Sequence, residues 1–126
     1  MPDSQRKNIL IVDDEEIIRE FLAEVLSEDY EISTATDGDE AIEKISKSNY
    51  DLIITDLKMP RVSGEEVVRF AKDKYPECPV IVISGYSSLF VASQSVNHGA
   101  CAFLSKPFSI TELIKTVEDN IDGKTV

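Results

Sequence analysis

The sequence predicts an α/β protein, a doubly wound parallel sheet of five strands in the order 2-1-3-4-5 with helices on both faces. Two observations carry this expectation. Three short apolar runs, Ile9-Leu10-Ile11-Val12, Leu52-Ile53-Ile54 and Val80-Ile81-Val82-Ile83, are continuous rather than alternating, as strands buried on both faces of a parallel sheet require. Between and after them, apolar residues recur at helical spacing, so strands and helices alternate and the crossovers are right-handed. The strand order is a choice among the doubly wound orders.

Strand one covers Ile9 to Val12. The first helix follows, with Ile17, Ile18, Phe21, Leu22, Val25 and Leu26 on one face and Arg19, Glu20 and Glu24 on the other. Strand two, Glu31 to Ala35, alternates Ile32 and Thr34 with smaller residues. A short helix after Asp37-Gly38 is marked by Ala41, Ile42 and Ile45, and a third by Val67, Val68 and Ala71, ending before Pro76. A fourth helix is expected over Ser87 to His98, although its serines and Asn97 are mediocre helix formers. Strand five centres on Phe103 and Leu104, and the last helix carries Ile110, Leu113, Ile114, Val117 and Ile121 behind Ser109 as N-cap.

With 126 residues, 42% of them hydrophobic and 29% charged, the chain is expected to form one domain over 1–126, with a core at about 8–122 and flexible ends at 1–7 and 123–126. Thirteen basic against 24 acidic residues give a formal charge of −11. Such a surface repels nucleic acid phosphates and acidic lipid head groups, so neither is an expected partner. No apolar run approaches the ~20 residues that cross a bilayer, and a cytoplasmic location is expected. Cys78 and Cys101 make no disulfide framework, and two thiols do not hold a zinc ion. They precede adjacent strands and are expected to lie near one another as reduced thiols.

Sites in doubly wound folds lie at the carboxyl ends of the strands. There the sequence places Asp13-Asp14 after strand one, Thr55-Asp56 on strand three, Ser84-Gly85 on strand four and Ser105-Lys106-Pro107 on strand five. Each has an ordinary reading: an acidic pair caps a helix, an Asp sits in a turn, a Lys is solvated. Together they are harder to dismiss, because adjacent strands one and three crowd three carboxylates, and like charges disfavour ionisation unless a cation intervenes. One lysine does not neutralise three acids. A hard divalent cation does, since Mg²⁺ takes oxygen ligands and keeps waters that a phosphate oxygen replaces. Carboxylate, metal, lysine and small hydroxyl are the equipment for phosphoryl transfer to Asp.

The chain resembles the receiver domains of two-component response regulators, with the flavodoxin-like strand order. The resemblance runs from Ile9 to Ile121 and rests on Ile-Leu-Ile-Val-Asp13-Asp14, Asp56-Leu-Lys-Met-Pro60, Gly64, Val-Ile-Val-Ile-Ser84-Gly85, and Gly99-Ala100 leading to Lys106-Pro107-Phe108. It implies that Asp56 is the phosphoacceptor and Asp14 a direct Mg²⁺ ligand, with Asp13 acting through a metal-bound water and the backbone carbonyl of Lys58 completing the set. Ser84 and Lys106 would contact the phosphoryl group, Lys106 would meet the Asp56 carboxylate before modification, and Phe103 would occupy the aromatic switch position. The Lys106-Pro107 peptide is expected to be cis. A sensor histidine kinase is the implied donor. The implied reader is a downstream protein or output domain, or a second copy, on the surface of the fourth helix, strand five and the last helix. The chain departs from the family in having Phe rather than Tyr at 103, apolar Leu89 and Phe90, and Cys101-Ala102 before strand five. His98 is expected to be a solvated surface residue.

Three alternatives compete. A small phosphate- or nucleotide-binding enzyme on the same fold needs closely spaced glycines after a strand, whereas these stand at 38, 64, 85, 99 and 123. An aspartyl phosphatase needs a second acid two residues after the nucleophile, where Lys58 stands. A phosphate-independent interaction domain would have no use for the filled reactive positions.

Overall fold

Continuous apolar strands need cover on both faces, and the sheet has it. The computed structural model describes residues 6–85 and 99–121. Its elements are β1 (Asn8–Val12), α1 (Glu16–Leu26), β2 (Glu31–Ala35), α2 (Gly38–Lys47), β3 (Leu52–Asp56), α3 (Gly64–Lys74), β4 (Val80–Ser84), β5 (Ala102–Ser105) and α4 (Ile110–Asn120). The helix expected over Ser87 to His98, with Leu89, Phe90 and His98, lies outside the described residues. The five strands are parallel and ordered β2-β1-β3-β4-β5.

Strand position explains the sequence pattern. The three continuous runs form the inner strands β1, β3 and β4, buried along almost their whole length, while β2 and β5 at the edges are mostly half-buried. Alternate residues of each inner strand feed two cores. Leu10, Val12, Ile53, Val80 and Val82 pack under Ala41 and Ile45 of α2 and Val67, Val68 and Ala71 of α3. Ile9, Ile11, Leu52, Ile54, Ile81 and Ile83 pack under Leu22 and Leu26 of α1 and Leu113 and Val117 of α4. Each fully buried Ile or Leu contributes about 1.5–3 kcal/mol of transfer free energy.

The helices start where their side chains cap them, with one exception. Asp37 accepts from the Glu40 amide at the head of α2, and Ser63 with Glu66 and Ser109 with Glu112 form capping boxes on α3 and α4. At α1 the N-cap residue is Glu15, whose side chain makes no cap hydrogen bond. Spacing alone misplaces three residues: Ile17 is 81% exposed, Ile110 49% and Ile114 37%. Ile17 and Ile110 lie in the first turns of helices that begin at the carboxyl edge, where the strands have ended, whereas Ile114 follows the buried Leu113 and faces away from the core.

The loop after β3 is drawn tightly against its neighbours. A Cβ on Gly64 would stand 2.1 Å from the Asp56 carbonyl oxygen, and one on Gly38 2.5 Å from that of Val62. Arg61 holds a positive φ of 66°, an uncommon conformation for a side-chain-bearing residue, and its guanidinium pairs with Asp37 and Asp39 across the start of α2 at 3.0 and 2.9 Å. Gly64→Ala pushes the added methyl against the backbone that carries Asp56. It should destabilise the protein by about 3 kcal/mol, the upper end of ordinary overpacking, read as a lowered midpoint in urea denaturation.

Candidate functional site

Parallel strands in this order deliver their carboxyl ends to one edge, and the chemistry-bearing residues collect there. Asp13 follows β1 and is fully buried, Asp56 ends β3 at 5% exposure, and Ser84 ends β4, also buried. Lys106 follows β5; its backbone N–H donates to the Ser84 carbonyl oxygen at 2.8 Å, which fixes the tip of β5 to that of β4. The Lys106-Pro107 peptide is cis, as expected. Phe103, in register with Val82, is half-buried on the face covered by α2 and α3.

One ammonium serves three carboxylates. Lys106 Nζ donates to Glu15 Oε1 at 2.8 Å and lies 3.4 Å from Asp13 Oδ2 and 3.5 Å from Asp56 Oδ1. Asp13 Oδ1 accepts the Glu15 amide, Asp56 Oδ1 accepts the Leu57 amide, and Arg19 donates to the Asp13 carbonyl oxygen. Asp13 Oδ2 is buried and accepts no hydrogen bond. Carboxylate oxygens of Asp13, Glu15 and Asp56 all lie within 4.8 Å of one another.

The electrostatics follow from this crowding. Burial, and then the neighbouring Asp13 charge, pushes the Asp56 carboxyl up to about 6 despite Lys106. Burial also raises Asp13, against the Glu15 amide and Lys106. Lys106 is held above its ordinary value: burial works against the ammonium, but the hydrogen bond to Glu15 and the charges of Asp56 and Asp13 outweigh it. A buried carboxylate oxygen without a donor, among three acids sharing one cation, fits a hard divalent ion that binds oxygen.

Asp13, Asp56, Ser84 and Lys106 are therefore brought together as the sequence implies. Asp14 and Lys58 stand at the same edge and are exposed. The third carboxylate of the close group is Glu15, not Asp14, and Lys106 gives its hydrogen bond to Glu15 rather than to Asp56. Sequence reasoning missed Glu15. The available signal was a third consecutive acid at a helix start, of a type that does not favour the N-cap.

The chain matches the family model for the response regulator receiver domain over residues 9–118. It belongs to that family. It is 40% identical over 112 residues to response regulator RR06 of Streptococcus pneumoniae, covering 88% of this chain and 51% of that protein. It is also 40% identical over 114 residues to transcriptional regulatory protein PdtaR of Mycobacterium tuberculosis, covering 89% and 55%. The chain thus spans about half the length of these relatives. Among solved structures it resembles a CheY-like receiver domain protein of Methanospirillum hungatei, with TM-score 0.89, 32% identity and coverage of 94% and 95%. It also resembles chemotaxis protein CheY4 of Vibrio cholerae, with TM-score 0.85, 33% identity and coverage of 90% and 97%. Receiver domains are phospho-accepting signalling switches, so this reading replaces that of a small enzyme on the same fold. No helix among the described residues is long and apolar enough to cross a membrane.

The opposite edge of the receiver domain holds a cavity of about 760 Å³ lined in part by Cys78, Cys101 and Lys72. The two cysteines are free thiols that share this cavity, as their proximity to adjacent strands implies. Burial pushes the Cys78 thiol up to about 11 and raises Cys101 as well, which leaves them protonated and poor nucleophiles at neutral pH.

The raised Asp56 carboxyl has a consequence for stability. The folded protein binds this proton more tightly than the unfolded chain, so its contribution is present below the ordinary aspartate value near ~4 and is lost as pH rises through about 6. In metal-free buffer, stability should fall across that window. Asp56→Asn removes the burdened charge and should be more stable than the wild type at pH 7 by about 2 kcal/mol, a difference that vanishes near pH 4. Urea denaturation of both proteins in EDTA at stepped pH measures it.

Proposed function

We propose that this receiver domain accepts a phosphoryl group on Asp56 from the phosphohistidine of a sensor histidine kinase. The observation that carries the assignment is the place of Asp56, buried at the tip of a central strand with Asp13 beside it and the Lys106 ammonium 3.5 Å from its carboxylate. An Asp56 carboxylate oxygen attacks phosphorus, the P–N bond of the phosphohistidine breaks, and the leaving imidazole takes a proton from solvent. The domain thus catalyses its own phosphorylation and, by attack of water, its own dephosphorylation, with no other substrate. The exposed Ile17, two residues beyond Glu15, supports docking of the donor beside the site.

Asp13, Asp14, Asp56 and the backbone carbonyl of Lys58 would hold a Mg²⁺ ion. When bound, the ion neutralises charge on the phosphoryl oxygens. Lys106 moves its ammonium to a phosphoryl oxygen, and the Ser84 hydroxyl donates to another. Asp13, its Oδ2 without a donor, would hold the ion through a water. Rotation of Phe103 into volume vacated below Ser84 buries the rest of its half-buried ring, a gain of about 1 kcal/mol, part of what complete burial of an exposed ring gives. That gain biases the surface around β5 and α4 towards a downstream protein, an output domain or a second copy. The acidic surface argues against direct nucleic acid binding by this domain, and with the kinase as donor a cytoplasmic location follows.

An acyl phosphate with Mg²⁺ should add one phosphoryl mass to the wild type and none to Asp56→Asn; equal labelling of the two sinks the assignment. Millimolar Mg²⁺ should raise the thermal midpoint of the wild type through preferential binding to the folded state and leave Asp14→Ala unmoved. A shift retained in Asp14→Ala removes that residue from the ligand set. For the readout, amide exchange at Ser84, Phe103 and Leu104 should change when a phosphoryl mimic binds. Change confined to the surroundings of Asp13 and Asp56 rules out Phe103 as the switch.

A further inference from the structure

Glu15 is placed as though its task were electrostatic rather than structural. It occupies the N-cap of α1, a position at which the other three described helices have a side chain bonded to a backbone amide. Its own carboxylate makes no such bond and instead accepts a hydrogen bond from Lys106 Nζ at 2.8 Å, against 3.4 and 3.5 Å from that ammonium to the two aspartates. Its amide meanwhile donates to Asp13 Oδ1, so the backbone that carries the tether is fixed to the site itself. We propose that Glu15 is a positioning residue that draws the Lys106 ammonium it shares with Asp56 towards itself in the unphosphorylated protein, and that release of this tether sets how readily the site takes up a phosphoryl group.

The argument rests on the assignment of Asp56 and Lys106 made above. A phosphoryl group on Asp56 needs the Lys106 ammonium, and Glu15 competes for it. Once Lys106 has moved, the Glu15 carboxylate is left without that partner and within 4.8 Å of the oxygens of Asp13 and Asp56, where a doubly charged phosphoryl group repels it. Competition and repulsion have the same sign: each disfavours the phosphorylated state. Glu15 is 61% exposed and Lys106 16%, so water screens the pair and the effect is modest.

The test uses beryllofluoride, a phosphoryl mimic that binds without covalent transfer, titrated at saturating Mg²⁺ into wild type, Glu15→Gln and Glu15→Asp. Glu15→Gln removes the charge, whereas Glu15→Asp keeps it on a side chain one methylene too short to hold Lys106. Release of the tether predicts binding about three- to fivefold tighter for Glu15→Gln and a smaller gain for Glu15→Asp, each at Mg²⁺ saturating for that variant. The Lys106 side-chain resonances of the unliganded protein should also shift in both variants. If Glu15→Asp binds like the wild type while Glu15→Gln binds tighter, charge repulsion alone operates and the tether is refuted. Mg²⁺ affinity is measured without fluoride in all three proteins, and a loss in Glu15→Gln beyond about tenfold, more than the loss of one solvent-screened charge produces, makes Glu15 a metal ligand and overturns the proposal. If the wild type binds no beryllofluoride, the Asp56 assignment falls and the inference with it; wild-type binding that neither variant improves overturns the inference alone.

Discussion

Asp13 and Asp56 sit where water does not solvate them, so their charge has to be met from within the protein, and Lys106 meets only part of it. Burying a carboxylate without a partner is costly, and here two are buried within reach of one ammonium that gives its shortest contact to a third acid. The raised carboxyls and the Asp13 oxygen without a donor are two expressions of that shortage. Such a site is incomplete by construction. A cation placed among these oxygens would offset the shortage.

The fold tolerates the shortage because the strands that carry it are the best-packed part of the molecule. β1, β3 and β4 are the inner strands, sealed by two apolar cores, so the tips that bear Asp13, Asp56 and Ser84 have little freedom to spread their charges apart. Backbone hydrogen bonds tie those tips to one another: Leu57 donates to Ile83 and Lys106 to Ser84. The loop after Asp56 is pinned from its far side by Arg61 against Asp37 and Asp39, and from beneath by the close approach of Gly64. Rigid elements hold the charges in place, as a preorganised site requires.

What the sequence made legible tracks how local each determinant is. Continuous β-branched runs identify inner strands because burial on both faces leaves no polar position, and the carboxyl-edge rule then collects Asp13, Asp56, Ser84 and Lys106 with no further information. Ile17 defeated the periodicity because helical spacing says which residues share a face but not where the strand beneath that face stops. Glu15 was missed for a related reason. An acid at a helix start has a sufficient local explanation in the helix dipole, and only the position of Lys106, 91 residues later in the chain, shows that the carboxylate turns the other way.

The same geometry explains why a change at the charge cluster would be felt at the edge of the sheet rather than at its centre. Under the proposed reading, Ser84 and Lys106 are the groups drawn towards a new phosphoryl group, and they lie at the tips of β4 and β5. β4 is buried throughout and flanked by β3 and β5, so it resists displacement. β5 is a four-residue edge strand, mostly half-buried and paired on one side by β4. Elements with few buried contacts move at the least cost. Phe103 stands on that strand three residues before Lys106, a span of about 10 Å at the ordinary rise of a strand, and its ring is half-buried on the α2 and α3 face. A pull on Lys106 therefore reaches a movable aromatic side chain through one short stretch of backbone, without disturbing the cores that keep the three acids together.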